Sequence, residues 1–267
     1  MSLILLKEWL NENVVKLRVD SIISQKCKPG QFVMIRVSEL GERIPLTIYD
    51  YSRHDNYIEL IFQIVGVTTD KLSHLDVGDK IMDLLGPLGN PISSLKENKV
   101  LVVAGGLGIV PMLAHLKKVY AKTIDGIYGV KKQDSLVLLE ELRECVSNLS
   151  IFTEDGSYGS KGYVSNDLAV MLTNQKYDHV IAIGPIPMMS AVVDITKRYN
   201  IPTSVSLNPI MVDGTGMCGG CRVKVSGEVK FACIDGPEFE GLEVDFDELI
   251  IRSNIYTERG HNCVCEK

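Results

Sequence analysis

The chain has 267 residues, which at roughly 150 residues per domain is enough for about two domains with cores of their own. Hydrophobic residues make up 45% of the chain and charged residues 23%, which excludes disordered and collagen-like proteins. No apolar run reaches the roughly 18 residues of a membrane span, and a net charge of -6 creates no basic field for nucleic acid or anionic lipid. We therefore expect a soluble protein with neither a membrane nor a nucleic-acid partner.

The cysteines indicate a compartment and a place for chemistry. Seven of them are too few for a disulfide scaffold in a chain of this length, and the amino terminus lacks the basic region and cleavage site of a secretory signal. We therefore expect a cytoplasmic location. Five of the cysteines fall between residues 218 and 265, so we expect the chemistry near the carboxyl end.

Short β-rich runs fill the chain from Val14 to about Leu88, separated by turn-forming residues such as Pro29, Gly30 and Gly66. Strands at such spacing are typical of a small antiparallel barrel or sandwich. The predicted strands are VVKLRVDS, QFVMIRVS, IPLTIYDYS, YIELIFQIVG and KIMDLLG.

Near Lys99 the pattern changes to buried strands that alternate with amphipathic helices, which predicts a doubly wound α/β domain. The predicted strands are KVLVVAGG, DGIYGV and YDHVIAIGP, and the predicted helices are IVPMLAHLKKVYAK, DSLVLLEELRECV and PMMSAVVDITKRYN. After Ile201 the sequence becomes glycine-rich and ends in an acidic, partly helical tail. This last segment is small for an independent core and would be stabilised by a metal or cluster. We expect domain bounds of 1–95, 96–205 and 206–267.

A glycine-rich loop follows the first strand of the α/β segment and opens a helix. Gly105, Gly106 and Gly108 would let the backbone approach a pyrophosphate, which the amide groups of the helix amino terminus would face. Against the spacing GxGxxG, Pro111 replaces the third glycine, and proline suits the first helical turn. The alternative is a tight turn that binds no ligand.

A second turn of this kind, Gly184 and Pro185, follows the buried strand VIAIG. Because both turns end strands of one predicted sheet, we expect them to border one crevice. Two turns at one crevice favour nucleotide binding over two unrelated loops.

The stretch GERIPLT places Arg43 and Thr47 close together on a barrel strand. An arginine and a hydroxyl can hold a phosphate by a charge-assisted pair and a hydrogen bond. The alternative is an ordinary pair on the surface of a strand.

The carboxyl-terminal segment contains the ligand spacing of an iron-sulfur site. Plant-type 2Fe-2S sites use C-x4-C-x2-C with a distant fourth cysteine, and Asp213, Cys218, Cys221 and Cys233 match with aspartate at the first position. A carboxylate there would preserve the ligand charge. The surrounding glycines would let the loop wrap closely and direct amide groups at the sulfur atoms.

Two alternatives to this ligand set stay open. Structural zinc could be held by Cys218, Cys221, Cys263 and Cys265, or by three of these thiolates and His261. Asp213 could also begin a turn without binding metal, in which case the fourth ligand would be His261, Cys263 or Cys265.

Other catalytic patterns are absent from the sequence. His54, His74, His115 and His179 show no ligand or triad spacing, so buried and hydrogen-bonded or solvated side chains are expected. The sequence contains neither GxSxG nor HExxH.

Taken together, the motifs cover nearly the whole chain and resemble the ferredoxin-NADP reductase superfamily. The resemblance is closer to its electron-transfer subunits, which include the iron-sulfur flavoprotein of dihydroorotate dehydrogenase. The aspartate at the first ligand position is similar to the small subunits of NADH-dependent ferredoxin:NADP oxidoreductases. The matching motifs are KPGQFVMIRV, RIPLTI, GPLGNP, AGGLGIVPM, TEDGSYGSKGYV, IGPIPMM, MVDGTGMCGGCRV and FACIDGPEF.

The resemblance implies FAD on the barrel, NAD(H) or NADP(H) on the α/β domain, and a 2Fe-2S cluster on the last segment. The arginine of the superfamily precedes the Ser/Thr by three residues, whereas Arg43 precedes Thr47 by four. Lys131 and Lys132 follow the strand at which an NADP 2'-phosphate would be recognised, so both nucleotides stay open. The implied cofactor residues are Pro45 and Thr47 for ribityl and phosphate groups, Phe62 and Gln63 beside the flavin, Thr68 and Thr69 at the pyrophosphate, and Asp155 in TEDGSYGS.

The implied activity is electron transfer from NADH through FAD and the 2Fe-2S cluster to a partner. The resemblance implies a larger flavin and iron-sulfur subunit, related to the glutamate synthase small subunit, and ferredoxin reached through it. The alternatives are an electron-transfer subunit of dihydroorotate dehydrogenase type, or a flavin- or nucleotide-binding module with structural zinc.

Overall fold

The computed structural model describes residues 2–260, which contain two seven-stranded sheets and a two-stranded hairpin. The first sheet is antiparallel with the order β6-β1-β2-β5-β4-β3-β7. Its edge strands β6 and β7 are separated only by Met82, so the sheet closes nearly into a barrel, as predicted. The elements are β1 (Ser2–Asn11), β2 (Val14–Asp20), β3 (Phe32–Arg36), β4 (Ile44–Ser52), β5 (Tyr57–Gln63), α1 (Val67–Ser73), β6 (Lys80–Ile81) and β7 (Asp83–Leu88).

Alternation of side chains along β2 shows why the barrel forms. Val15, Leu17 and Val19 point into the core and are fully buried. Lys16 and Arg18 point outward, and both form ion pairs with Glu59 on the neighbouring strand β5. The period of two therefore separates an apolar interior from a charged outer face.

The second sheet has the order β11-β10-β9-β8-β12-β13-β16, and its strands from β11 to β13 are parallel. From β8 the chain continues to β9 on one side, and β12 lies on the other side of β8. The elements are β8 (Leu95–Gly105), α2 (Ile109–Leu116), β9 (Val119–Val130), α3 (Leu139–Cys145), β10 (Asn148–Thr153), β11 (Ser160–Lys161), α4 (Val164–Asn174), β12 (His179–Ile183), α5 (Ile186–Arg198) and β13 (Thr203–Ser206).

Two predicted helices were too long. The helix that follows the glycine loop ends at Leu116, because Val119 and Tyr120 pair with Leu95 and Lys96 of β8 and extend the sheet. The helix predicted from DSLVLLEELRECV is α-helical only in α3 and begins with the end of a separate 3-10 turn, Gln133–Ser135, since Leu138 has a left-handed backbone with φ of 54° that interrupts the helix. Tertiary pairing and one backbone conformation thus outweigh helix propensity here.

The segment after residue 206 packs on both preceding units. Val223 and Phe246 join the apolar core that includes α5, and Met211 joins a core with Phe32 and Met34 of β3. The strand β16 pairs with β13 and completes the second sheet. Within residues 2–260 no helix combines the length and apolar character needed to cross a bilayer. The elements are β14 (Arg222–Val225), β15 (Glu228–Phe231), β16 (Glu238–Glu240) and α6 (Phe246–Gly260).

A buried carboxylate joins three segments at the amino-terminal edge of the parallel sheet. Asp125 on β9 is 1% exposed and accepts hydrogen bonds from Asn148 (2.7 Å) and Tyr177 (2.8 Å), with Lys99 Nζ 3.3 Å away. Burial alone would raise the pKa of Asp125, but these three partners together lower it. The network therefore stabilises the ionised carboxylate in the folded state.

We expect Asp125→Ala to lower the free energy of unfolding by about 3 kcal/mol, because it removes the buried carboxylate that pairs with Lys99 and accepts from Asn148 and Tyr177. Chemical denaturation checks this, with the exposed Asp20→Ala as the matched control. Since the folded-state pKa of Asp125 is lowered, the difference between wild type and Asp125→Ala should be complete above about pH 4 and shrink as the pH falls through that lowered pKa. A difference that grows on acidification would contradict this.

Candidate functional site

A large cleft lies where the barrel, the second sheet and the carboxyl-terminal segment meet. Its volume is about 1500 Å³, more than the roughly 300–1,000 Å³ of a typical single-ligand pocket. The cleft therefore has room for two nucleotide-sized ligands in contact with each other.

The wall formed by the second sheet lies at the point where the strand order reverses. The loops after β8 and β12 approach so closely that a Cβ on Gly108 would collide with the Ile183 carbonyl, and one on Gly184 would lie 3.0 Å from Gly105 Cα. In open α/β sheets this is the crevice that binds nucleotides. Gly105, Gly106, Gly108, Pro111, Gly184 and Pro185, all predicted to bind cofactor, line it together.

Gly106 differs from its neighbours because its side-chain position is open. Its φ of 53° is in the left-handed region, and a methyl group there would meet no atom within 4 Å. The residue thus presents bare backbone to the cleft, directly before the amino terminus of α2. A phosphate could reach this backbone and the free amide groups of the first helical turn.

The barrel wall contains most of the residues implied for the flavin. Pro45, Thr47, Phe62, Gln63 and Thr69 line the cleft from β4, β5 and α1. The Thr69 hydroxyl also accepts hydrogen bonds from the amides of Val65 and Gly66, and so shapes the turn before α1.

Three other predicted residues do not line the cleft. The Arg43 guanidinium binds the Asp83 carboxylate on the outside of the barrel. The Thr68 hydroxyl donates to Glu42 at 2.8 Å. Asp155 accepts hydrogen bonds from the hydroxyl and amide of Ser157, which lower its pKa.

The cleft also contains residues that sequence reasoning did not assign to it. Glu154 lines it at the carboxyl end of β10, beside Lys131 and Lys132 at the end of β9. Lys132 is paired with Asp134 at 3.1 Å. Glu154 directly follows a parallel strand, and this position in the sequence could have identified it as a cleft residue. His115 on α2 gave no such signal and also lines the cleft.

Two of the predicted metal ligands form a buried pair. The Sγ atoms of Cys221 and Cys233 lie 3.2 Å apart, and both side chains are buried. The amide of Cys233 donates to Cys221 Sγ, and the amide of Gly220 donates to Cys218 Sγ. Burial, followed by the neighbouring Cys221 thiol, raises the pKa of Cys233 to about 12. A metal would have to displace this proton on binding.

The other two predicted ligands lie on the exposed side of the same loop. Asp213 accepts hydrogen bonds from the amides of Thr215 (2.7 Å) and Cys218 (2.8 Å), and these bonds lower its pKa. The loop also packs closely on the barrel, because a Cβ on Gly214 would lie 2.6 Å from Met34 Cγ.

This donor set suits two irons better than one metal ion. No group of three or more His, Cys, Asp or Glu side chains within the described residues could hold a single ion. Each iron of a 2Fe-2S cluster takes two protein ligands, which matches one buried pair, Cys221 with Cys233, and one exposed pair, Asp213 with Cys218. The zinc candidates His261, Cys263 and Cys265 lie outside the described residues.

Two side chains belong both to the wall of the cleft and to the apolar core around the buried thiols. Phe32 and Met211 line the cleft and also belong to the apolar core that contains Cys221 and Cys233. A cofactor in the cleft and a metal cluster on the loop would therefore be close neighbours.

Comparison with known proteins agrees with this geometry. A family model for the iron-sulfur cluster binding domain of dihydroorotate dehydrogenase B matches residues 208–245, and one for the oxidoreductase NAD-binding domain matches residues 102–194. The first match includes all four predicted ligands and ends before Cys263.

Relatives and solved structures extend the similarity to nearly the whole chain. The dihydroorotate dehydrogenase B (NAD(+)) electron transfer subunit homolog of Thermotoga maritima is 44% identical, covering 89% of this chain and 84% of that protein. The corresponding subunit of Clostridium acetobutylicum is 34% identical, covering 81% of this chain and 86% of that protein. A solved chain of NADH-dependent reduced ferredoxin-NADP oxidoreductase has a TM-score of 0.89 at 40% identity, covering 98% of this chain and 95% of that chain.

The fold and the site define an electron-transfer subunit of a ferredoxin-NADP reductase-type oxidoreductase, which uses FAD, a 2Fe-2S cluster and NAD(P)H. The chain belongs to the family of dihydroorotate dehydrogenase B electron transfer subunits.

Gly106→Ala tests the nucleotide wall of the cleft. We expect NADH to bind at least about tenfold more weakly, because the methyl group occupies the space that a phosphate would approach. Isothermal titration measures this. Gly78→Ala is the matched control, since Gly78 also has a positive φ, of 94°, and an open side-chain position but lies before β6 on the barrel. Both variants should lose about 1 kcal/mol of stability, and equal NADH affinity in the two would contradict the assignment.

Proposed function

We propose that the chain is the electron-transfer subunit of a complex of the NADH-dependent ferredoxin-NADP oxidoreductase type. The observation that carries this is the loop in which Asp213 precedes Cys218, Cys221 and Cys233 and is hydrogen-bonded to the Cys218 amide. The likeness over nearly the full length of both chains to the solved NADH-dependent oxidoreductase supports it.

In this proposal the two walls of the cleft have different tasks. Pro45, Thr47, Phe62 and Gln63 orient FAD on the barrel, and the loop at Gly106 holds the nicotinamide nucleotide against it. FAD accepts a hydride and returns electrons singly. Phe32 and Met211 close the cleft toward Cys221 and Cys233, and thereby keep water out of the short path between cleft and cluster.

The remaining predicted residues have secondary tasks in this proposal. Thr69 and Thr68 shape the turn at the FAD pyrophosphate, and Arg43 contributes only to the charge of the barrel rim. Asp155 supports the loop that carries Glu154 at the edge of the nucleotide site. We expect NAD rather than NADP, because the Glu154 carboxylate would repel a 2'-phosphate and can accept from a ribose hydroxyl.

The electrons require an acceptor on another chain. We propose a larger subunit with flavin and iron-sulfur centres, related to the glutamate synthase small subunit, through which ferredoxin is reached. A cytoplasmic location suits this chemistry, because the cysteines in the described residues are free thiols. The second candidate is a dihydroorotate dehydrogenase partner, favoured by the named Thermotoga and Clostridium relatives.

Co-purification tests the partner. The tagged chain, isolated anaerobically from its native host, should retain a larger subunit with several iron-sulfur centres, which mass spectrometry identifies. A dihydroorotate-oxidising flavoprotein in its place would favour the second candidate. Recovery of the chain alone, with full electron transfer to its physiological acceptor, would contradict both.

Substitution of Asp213 tests the fourth ligand. Asp213→Asn can still accept from the loop amides but loses the charge of the ligand, so we expect a labile cluster with lost iron and acid-labile sulfide. Asp213→Cys should keep the cluster with a shifted potential, measured by redox titration and electron paramagnetic resonance.

Asp235→Asn is the matched control, because Asp235 also accepts from a backbone amide, that of Phe231, but lies outside the ligand pattern. An unchanged spectrum in Asp213→Asn, together with loss of the cluster on truncation after Tyr256, would assign the fourth ligand to the carboxyl-terminal tail.

A further inference from the structure

His115 and Glu238 lie between the cofactor cleft and a second cavity. His115, in the last turn of α2, lines the cleft. Glu238, at the start of β16, lines a separate polar cavity of about 260 Å³ together with Ser204 and Asp235. His115 Nε2 is 3.2 Å from Glu238 Oε2. The pair therefore connects two spaces that the fold otherwise separates.

Each ring nitrogen of His115 lies close to an oxygen atom. Its side chain is 3% exposed, and Nδ1 is 3.2 Å from the Pro111 carbonyl oxygen. The Pro111 carbonyl oxygen and the Glu238 carboxylate can only accept hydrogen bonds. Each ring nitrogen therefore has a hydrogen-bond partner only when it carries a proton. The carboxyl end of α2 also favours a cation.

Only one of the two ring protons is free to move. The proton on Nδ1 is held by the Pro111 carbonyl within the helix. Nε2 forms no aligned hydrogen bond within residues 2–260, although it lies 3.2 Å from Glu238 Oε2. Nε2 is therefore a buried nitrogen beside the carboxylate, on a side chain that also lines the cleft.

Glu238 is ionised and can therefore accept a proton. Burial would raise the pKa of Glu238, but the neighbouring His115 side chain, with smaller effects from Ser204 and His179, lowers it overall. Burial lowers the pKa of His179, whose Nε2 is 3.0 Å from the Ser204 hydroxyl. Glu238 is thus an ionised carboxylate that lies 3.2 Å from His115 Nε2.

The other charged groups nearby do not compete for His115. Glu240 on β16 accepts from the amide of Thr203, and Asp235 lies across the second cavity. Lys117, two residues beyond His115, is paired with Asp50 of the barrel at 2.7 Å.

The chemistry of the subunit creates a proton that must leave. A hydride from NADH carries two electrons and one proton, whereas a 2Fe-2S cluster accepts only electrons, one at a time. For every hydride that enters the cleft, two electrons therefore leave through the cluster and one proton remains to be removed.

We propose that His115 and Glu238 carry this proton from the cleft to the second cavity. His115 Nε2 passes its proton to Glu238 Oε2, takes the proton that remains in the cleft, and so returns to its starting charge. Glu238 then releases one proton to water in the second cavity. The proposal rests on the proposed electron flow from NADH to the cluster.

Stopped-flow mixing tests the relay in the full chain loaded with FAD and cluster. The flavin is reduced by one equivalent of NADH and mixed with ferricyanide, a one-electron acceptor, while a pH-indicator dye follows the released proton. In Glu238→Gln we expect proton release to slow at least about tenfold, with reduction by NADH unchanged within about twofold. Acetate should restore the rate, because the second cavity, about 260 Å³ in volume, admits a small acid.

His74→Asn is the matched control. His74 Nδ1 is 2.8 Å from the carbonyl of Asp70, four residues earlier as in His115, but its side chain is 75% exposed on α1. This variant should release protons at the wild-type rate. If Glu238→Gln does not fold, His115→Asn replaces it and should show slow release that imidazole restores.

Nitrogen NMR of the histidine rings gives a readout that does not depend on turnover. His115 should carry protons on both nitrogens in the wild type and lose the Nε2 proton in Glu238→Gln. A singly protonated ring in the wild type, proton release at the wild-type rate in Glu238→Gln, or slow release that no small acid restores would each overturn the relay. Wild-type flavin that NADH does not reduce would instead refute the proposed function.

Discussion

The packing of the cysteine loop against strand β3 is the contact on which the site depends. Met34 of β3 lies under Gly214, and Phe32 of β3 shares one apolar core with Cys221 and Cys233. This contact fixes the loop against the cleft with no intervening layer of protein. An electron leaving the cleft therefore crosses packed apolar side chains, and the same burial raises the pKa of the Cys233 thiol.

The cleft itself depends on close backbone approach rather than on many polar side chains. Gly108 and Gly184 allow the loops after β8 and β12 to touch. Gly106, whose side-chain position is open, forms the part of the crevice that a ligand can approach. The barrel contributes mostly neutral groups, such as Pro45, Phe62 and Gln63. The second sheet contributes charged side chains to the lining of the cleft, among them Glu154 and Lys131.

Much of the fold and part of the site could be predicted from sequence. The crevice was predictable because Gly106 and Gly184 each follow a buried strand of one predicted sheet. The end of α2 was not, because Val119 becomes a strand residue only through its pairing with β8. His115 was missed for the same reason, since Glu238 reaches it only through the pairing of β16 with β13. Sequence patterns reflect residues that are close together along the chain, whereas these features depend on residues that are far apart in the sequence.

Because β16 pairs with β13, the nucleotide-binding sheet and the cysteine-bearing segment do not separate into two complete domains. This strand lies beyond the cysteine loop, yet it covers the outer edge of β13, and the Glu240 side chain accepts from the Thr203 amide there. A chain cut before the loop would leave the backbone groups of β13 bare, and an uncovered sheet edge is a template for pairing with other chains. Removal of the cysteine-bearing segment would therefore expose an edge of the nucleotide-binding sheet, so the segment is not an independent module.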